Sequence, residues 1–271
     1  MKKCARIIFY SALFFLFSCN GDKKENVEQL PATNGVSILA DTIKIHEEYT
    51  FAYDREKAPK LTIDISLPHF NLGNELANAR LDSTLSWGLF FCDAPTLQAA
   101  CNHYVGTQKE LFNELRNEYH NLKEGEIPPG MMGCYCYIKG KAINGNKGCI
   151  NYIMTREEYF GGAHPSTVNT VTCFDTESGA EIMLKDIFKE GYEDTLLTLL
   201  IHKLMKDEGV SSIEELGEKG YHIDLDMHIT NNFILGTDSM TFLYNRYEIA
   251  PYALGDILIS IDYNTLKDIM K

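Results

Sequence analysis

The run Leu61-Thr62-Ile63-Asp64-Ile65-Ser66-Leu67 alternates apolar and polar residues without a break. Successive side chains of an extended chain point to opposite faces, so this stretch reads as a strand with one buried and one wet face. Residues 38–51 alternate in the same way and read as its companion. Apolar spacing then changes to the helical period. Leu76, Ala79, Leu81, Leu85 and Leu89 mark one amphipathic helix over 73–91, and Leu97, Cys101, Tyr104, Leu111, Leu115 and Tyr119 mark a second over 96–122. Pro128-Pro129-Gly130 breaks the chain. Residues 135–143 and 149–159 read as a hairpin about a Gly/Asn turn, and 168–174 as a further strand that ends at Asp175-Thr176-Glu177-Ser178-Gly179.

After that turn the pattern restarts. A helix is expected over 194–207, carrying Leu196, Leu197, Leu200 and Leu204. Ser212, with Glu215 three positions on, opens a shorter one through a capping box. Residues 233–235, 241–244 and 257–261 read as strands, and a closing helix is expected over 263–270. Strands in runs with helices between them, without strict alternation, point to an α+β fold: two modules of mostly antiparallel sheet packed with helices.

The N-terminus carries an address. Lys2, Lys3 and Arg6 precede an apolar-rich run over 7–17, too short to span a bilayer and shaped like a signal-peptide hydrophobic region. Leu16-Phe17-Ser18-Cys19 resembles a bacterial lipobox, with bulky Phe17 where a small residue is usual. That resemblance implies cleavage before Cys19 and acylation of its thiol, giving a lipoprotein held at a membrane by several chains. An uncleaved N-terminal anchor is the alternative. The expected division is then a signal peptide at 1–18, a lipidated flexible tether at 19–37, an N-terminal module at 38–179 and a C-terminal module at 180–271. The whole chain carries 38 acidic against 25 basic residues, a formal charge of −13, and loss of the three basic residues of 1–18 makes it −16. Such a body repels a phosphate backbone, so nucleic acid is not an expected partner.

Six cysteines remain beyond Cys19, an even number that permits disulfides outside the cytoplasm. Spacing favours Cys92 with Cys101, which flank a short stretch containing Pro95. Cys134 and Cys136 alternate with Tyr135 and Tyr137, so they share one face as small buried hydrophobes rather than metal ligands.

Three stretches carry a family resemblance: Tyr159-Phe160-Gly161-Gly162-Ala163-His164-Pro165; Phe174 to Gly179 followed by Leu184-Lys185-Asp186-Ile187-Phe188; and Tyr247-Glu248-Ile249-Ala250-Pro251-Tyr252-Ala253-Leu254-Gly255. Together they resemble the envelope family shared by the extracytoplasmic part of the lysozyme-sensing anti-sigma factor RsiV and the N-terminal region of the peptidoglycan deacetylase PdaC. The resemblance runs over about 38–271 and implies two α+β modules divided near Gly179. It also implies an exported binding module, since the family's deacetylase activity belongs to a separate domain.

Tyr159, His164, Tyr247, Glu248 and Tyr252 are the ligand-binding candidates. Gly161-Gly162 permits positive φ, so its loop either presents Tyr159 and His164 to a ligand or merely turns one strand into the next. Tyr247 and Tyr252 offer aromatic faces for binding, or pack into the core with bonded hydroxyls. His222-Ile223-Asp224-Leu225-Asp226-Met227-His228, if extended, places His222, Asp224, Asp226 and His228 on one face, which could hold zinc or serve as an ordinary solvated face. Same-face neighbours lie roughly 6 to 7 Å apart, too far for all four to converge on one ion. His46-Glu47-Glu48 lacks the second histidine of a zincin helix, and no nucleophile elbow or phosphate loop occurs.

The expected function is therefore a non-enzymatic envelope lipoprotein without cofactor, anchored to the membrane. Its body would bind a basic protein such as a lysozyme-like muramidase, or a peptidoglycan fragment. A metal-dependent hydrolase centred on His222 and His228 and a passive structural lipoprotein are the alternatives.

Overall fold

The computed structural model describes residues 39–50, 58–122, 126, 132–162, 164–223 and 227–271. Cys19, the signal and tether segments, Asp224 and Asp226 lie outside them. Strands β1 (Leu39–Thr50), β2 (Lys60–Asn71), β3 (Gly133–Asn144), β4 (Cys149–Tyr159) and β5 (Ser166–Asp175) form one sheet in the order β1-β2-β3-β4-β5. All its pairings are antiparallel except β2 with β3, which run parallel. A parallel pair needs a crossover, and helices α1 (Glu75–Phe90) and α2 (Leu97–Asn121) supply it.

Those helices cover one face of the sheet. Asn74 caps α1 by accepting from the backbone N–H of Leu76 and Ala77, and Thr96 caps α2 by accepting from that of Ala99. Ala77, Leu81, Leu85 and Leu89 on α1, with Leu97, Cys101, Tyr104, Val105 and Phe112 on α2, pack on Leu61, Ile63, Ile65 and Leu67 of β2 and on Cys134, Cys136 and Ile138 of β3. The stripe on α1 is one step away from the expected one at its start: Leu76 and Ala79 face outward and Ala77 takes the buried place. On α2 Phe112 is buried where Leu111 was expected. Cys134 and Cys136 are buried as expected.

The expected Cys92–Cys101 disulfide is not formed. Both are free thiols, Cys101 turned into the core from α2 and Cys92 half-buried in the link after α1. Burial pushes the Cys101 thiol up to about 12.

The second set of elements comprises α3 (Leu184–Ile187), α4 (Glu193–Glu208), α5 (Ile213–Glu218) and the antiparallel strands β6 (Phe233–Leu235), β7 (Ser239–Tyr244) and β8 (Ile257–Asp262). A last helical turn spans Tyr263–Leu266, shorter than expected, because Met270 instead bridges to Phe188. Leu196, Leu200 and Leu204 of α4 and the inner residues of β6–β8 pack together with Cys149, Ile153, Val171 and Cys173. Those four belong to β4 and β5. The part of the β4–β5 hairpin over 149–154 and 171–174 is therefore buried on both faces, with helices α1 and α2 on one side and the second set on the other. Gly179 (φ +66°) closes the turn after β5 so tightly that a Cβ would lie 2.1 Å from the Ala77 carbonyl oxygen.

Candidate functional site

The second set covers only part of the sheet. It seats on Cys149, Asn151 and Ile153, while the same face of β1, β2, β3 and the far half of β4 stays open. Strand register arranges that open face in rows. Glu48, Thr62, Tyr135 and Tyr159 lie side by side; the next row is His46, Asp64, Tyr137, Glu157 and Thr167; the third is Lys44, Ser66, Lys139, Thr155 and Asn169. Tyr135 and Tyr137 stack with centroids 4.4 Å apart at 15°, and Tyr159 meets Tyr135 at 5.7 Å. The Tyr135 hydroxyl donates to Glu157 Oε1 (2.8 Å). His46 Nδ1 and Asp64 Oδ1 are 2.6 Å apart, and this hydrogen bond, more than the charge attraction, raises the imidazole above its ordinary range.

Where the third row ends, a loop from the second set closes in. Asn169 is gripped on all sides: its backbone N–H donates to Asn245 Oδ1 (2.7 Å), its carbonyl accepts from Asn245 Nδ2 (3.0 Å), and its own amide donates to Asp256 Oδ2 (3.0 Å). Asp256 Oδ1 also accepts from the backbone N–H of Arg246 (3.3 Å). The Arg246 side chain in turn donates from Nη1 to the Tyr252 hydroxyl (2.8 Å), with its guanidinium 4.8 Å from that ring's centre. These contacts fix the segment 245–256 against β5.

Three of the five expected ligand-binding residues meet in this loop cluster. His164 stacks on Tyr252 at 5.5 Å and 27°, and Tyr252 meets Tyr247 at 5.5 Å. His164 is buried, its Nε2 has no hydrogen-bond partner, and burial holds the imidazole below the ordinary histidine range. Tyr247 is the opposite case. Its backbone is left-handed (φ +68°) and its side chain is 46% exposed, so the ring is held outside the core. Left-handed conformation disfavours a bulky residue and persists only where the surroundings impose it. Here Glu248 helps, since its Oε2 accepts from the Asn245 backbone N–H (2.7 Å) across the turn.

Tyr159 and Glu248 join the cluster less directly. The Tyr159 hydroxyl donates to the Gly162 carbonyl (2.8 Å), tying the strand end to a loop whose Gly161 and Gly162 both take positive φ. Glu248 Oε1 sits 3.0 Å from His228 Nε2. Both oxygens of Glu248 and both of Asp256 are thus engaged by protein groups, which commits these carboxylates to positioning the loop.

Of the four residues that an extended strand would align, His222 and His228 are described, while Asp224 and Asp226 lie outside the described residues. The His222 backbone N–H donates to Ile249, and the Met227 N–H reaches back to the Ile223 carbonyl (3.3 Å), an i to i−4 bond of helical sense. Among the described residues no three histidine, cysteine or acidic side chains converge as a metal site.

Arg246, Asp256, Tyr135, Tyr137 and the His46–Asp64 pair were not singled out in the sequence. The tyrosines were legible, because alternation with buried Cys134 and Cys136 sends them to the outer face; the cross-strand pairing of His46 with Asp64 needs the β1–β2 register.

Residues 185–264 match a family described as a protein of unknown function, DUF3298. The peptidoglycan-N-acetylmuramic acid deacetylase PdaC of Bacillus subtilis is 27% identical over 133 residues; the match takes in 48% of this chain and spans 28% of the deacetylase. A solved structure of a DUF3298 family member from Bacteroides fragilis is 27% identical, with a TM-score of 0.71 over 86% of this chain and 94% of that one. A DUF3298 protein from Pseudomonas aeruginosa shares the fold at 18% identity, with a TM-score of 0.56 over 85% of this chain and 94% of that one. No helix among the described residues is long and apolar enough to cross a membrane.

Proposed function

We propose that this chain is a cell-envelope lipoprotein, acylated at Cys19, whose body works as a non-enzymatic binding module for a basic muramidase of the lysozyme type. The observation that carries this reading is Tyr247, an aromatic ring held out of the core by a left-handed backbone and set against Tyr252, which in turn stacks on His164. Exposed, rigidly held aromatics beside an arginine are the groups that dominate protein interfaces. The nearby carboxylates are already spent on holding the loop, which favours recognition over proton transfer or metal binding. Similarity to a deacetylase of peptidoglycan supports a place in the envelope. The charge of −13 would speed encounter with a cationic enzyme, more at low salt than at high.

The test is retention of the full chain, in detergent, on immobilised lysozyme at two salt concentrations. Retention at low salt that weakens on Tyr247→Ala by roughly tenfold or more supports the reading. No retention at low salt removes the muramidase as partner. Mass spectrometry of the native protein checks the anchor: an unmodified thiol at Cys19 with Met1 in place refutes lipidation. Stoichiometric zinc in metal-free buffer would turn the reading towards a hydrolase.

A further inference from the structure

We propose that the open face of the five-stranded sheet carries a second site, separate from the Tyr247 loop, that binds a glycan unit bearing a carboxylate. The site is a shallow cavity of about 550 Å³ lined by Lys44, His46, Asp64, Ser66, Tyr137 and Lys139, together with the backbone around Ile45, Ile65 and Ile138. That volume falls within the range of small-molecule sites.

Its chemistry is that of sugar recognition. Tyr137 forms a wall, and its ring is fixed by stacking on Tyr135, which is itself braced by Tyr159 and by the hydrogen bond to Glu157. An aromatic ring offers an apolar surface to the C–H face of a pyranose and costs little side-chain entropy to hold still. Asp64, Ser66 and His46 lie on the floor, adjacent by register. A carboxylate that gives one oxygen to His46 still has lone pairs to accept from sugar hydroxyls.

The lysines select the charge. Lys44 and Lys139 flank Ser66 in one row, two strand spacings or roughly 10 Å apart at the backbone, and both are exposed. Lysine on an edge strand such as β1 has a common explanation in blocking sheet-to-sheet pairing. That explanation fails for Lys139, which lies on β3 at the centre of the sheet. In a chain with 13 more acidic than basic residues, two lysines lining one cavity complement an anionic ligand. An ordinary solvated strand face needs neither the two lysines nor a tyrosine, Tyr135, in contact with two others.

The probes are two disaccharides of like size, N-acetylglucosaminyl-N-acetylmuramic acid, which has a carboxylate, and diacetylchitobiose, which has none. Both are titrated into the full chain in detergent, followed by calorimetry and by the tyrosine ring resonances. The acidic disaccharide is expected to saturate below about 10 mM, and the neutral one to bind at least fivefold more weakly. Lys139→Glu should weaken the acidic ligand tenfold, and Tyr137→Ala should abolish saturation. Tyr247→Ala should leave sugar binding unchanged, which separates this site from the protein-docking loop. Absence of saturation, equal binding of the two sugars, or wild-type affinity in Lys139→Glu would each overturn the proposal. Lys139 is exposed on a formed strand, so that variant decides the matter even where Tyr137→Ala does not fold.

Discussion

Histidines report their surroundings one by one in this chain. His46 is raised by its hydrogen bond to Asp64, His69 by its bond to Asp82 (3.1 Å) against opposing burial, and His164 is lowered by burial. Proton NMR titration should therefore find His46 and His69 above the ordinary 6.5 and His164 below it, and Asp64→Asn should return His46 towards 6.5. The raised pair at His69 stabilises the fold fully below pH 6.5 and loses that contribution as pH rises through its elevated value. Gly179 is a sharper dependence. With φ at +66° and a Cβ position 2.1 Å from the Ala77 carbonyl, Gly179→Ala combines a disfavoured backbone with a clash against α1. Urea denaturation should show a loss of at least about 2 kcal/mol.

Between elements, Asn151 on β4 does the work of a missing strand partner. It is buried, its Oδ1 accepts from the Leu235 N–H (2.7 Å) and its Nδ2 donates to the Leu235 carbonyl (3.1 Å), so one side chain satisfies both backbone groups at the end of β6. Asn151→Leu would orphan both, and a destabilisation of about 2–4 kcal/mol is expected in the same assay. The strands and helices themselves were legible because their periods are clean: Leu61 to Leu67 alternates, and Leu196, Leu200 and Leu204 return every four residues. What sat outside local pattern was less so. The parallel pairing of β2 with β3 spans two helices, and no period records it. The stretch from His222 reads as alternating, and its acidic members Asp224 and Asp226 lie outside the described residues. In the site, aromatic residues within the Tyr247 segment were visible as a motif, whereas Arg246 and Asp256 acquire their roles only when Asn169 arrives from another strand.

At the scale of the molecule, the two sets of elements are not independent bodies, because β4 and β5 supply buried residues to both cores. Residues 39–179 expressed alone would expose Cys149, Ile153, Val171 and Cys173 together, and should bind a hydrophobic dye or self-associate where the full chain does not. Size-exclusion chromatography with dye fluorescence checks this, and two soluble monomeric halves would contradict it. The sheet order has a temporal consequence as well. Residues 72–132 must loop round before β3 can lie beside β2. Closing so long a connection is slow relative to zipping a hairpin. The first two strands therefore wait, unflanked on one side, until their central neighbour has been delivered.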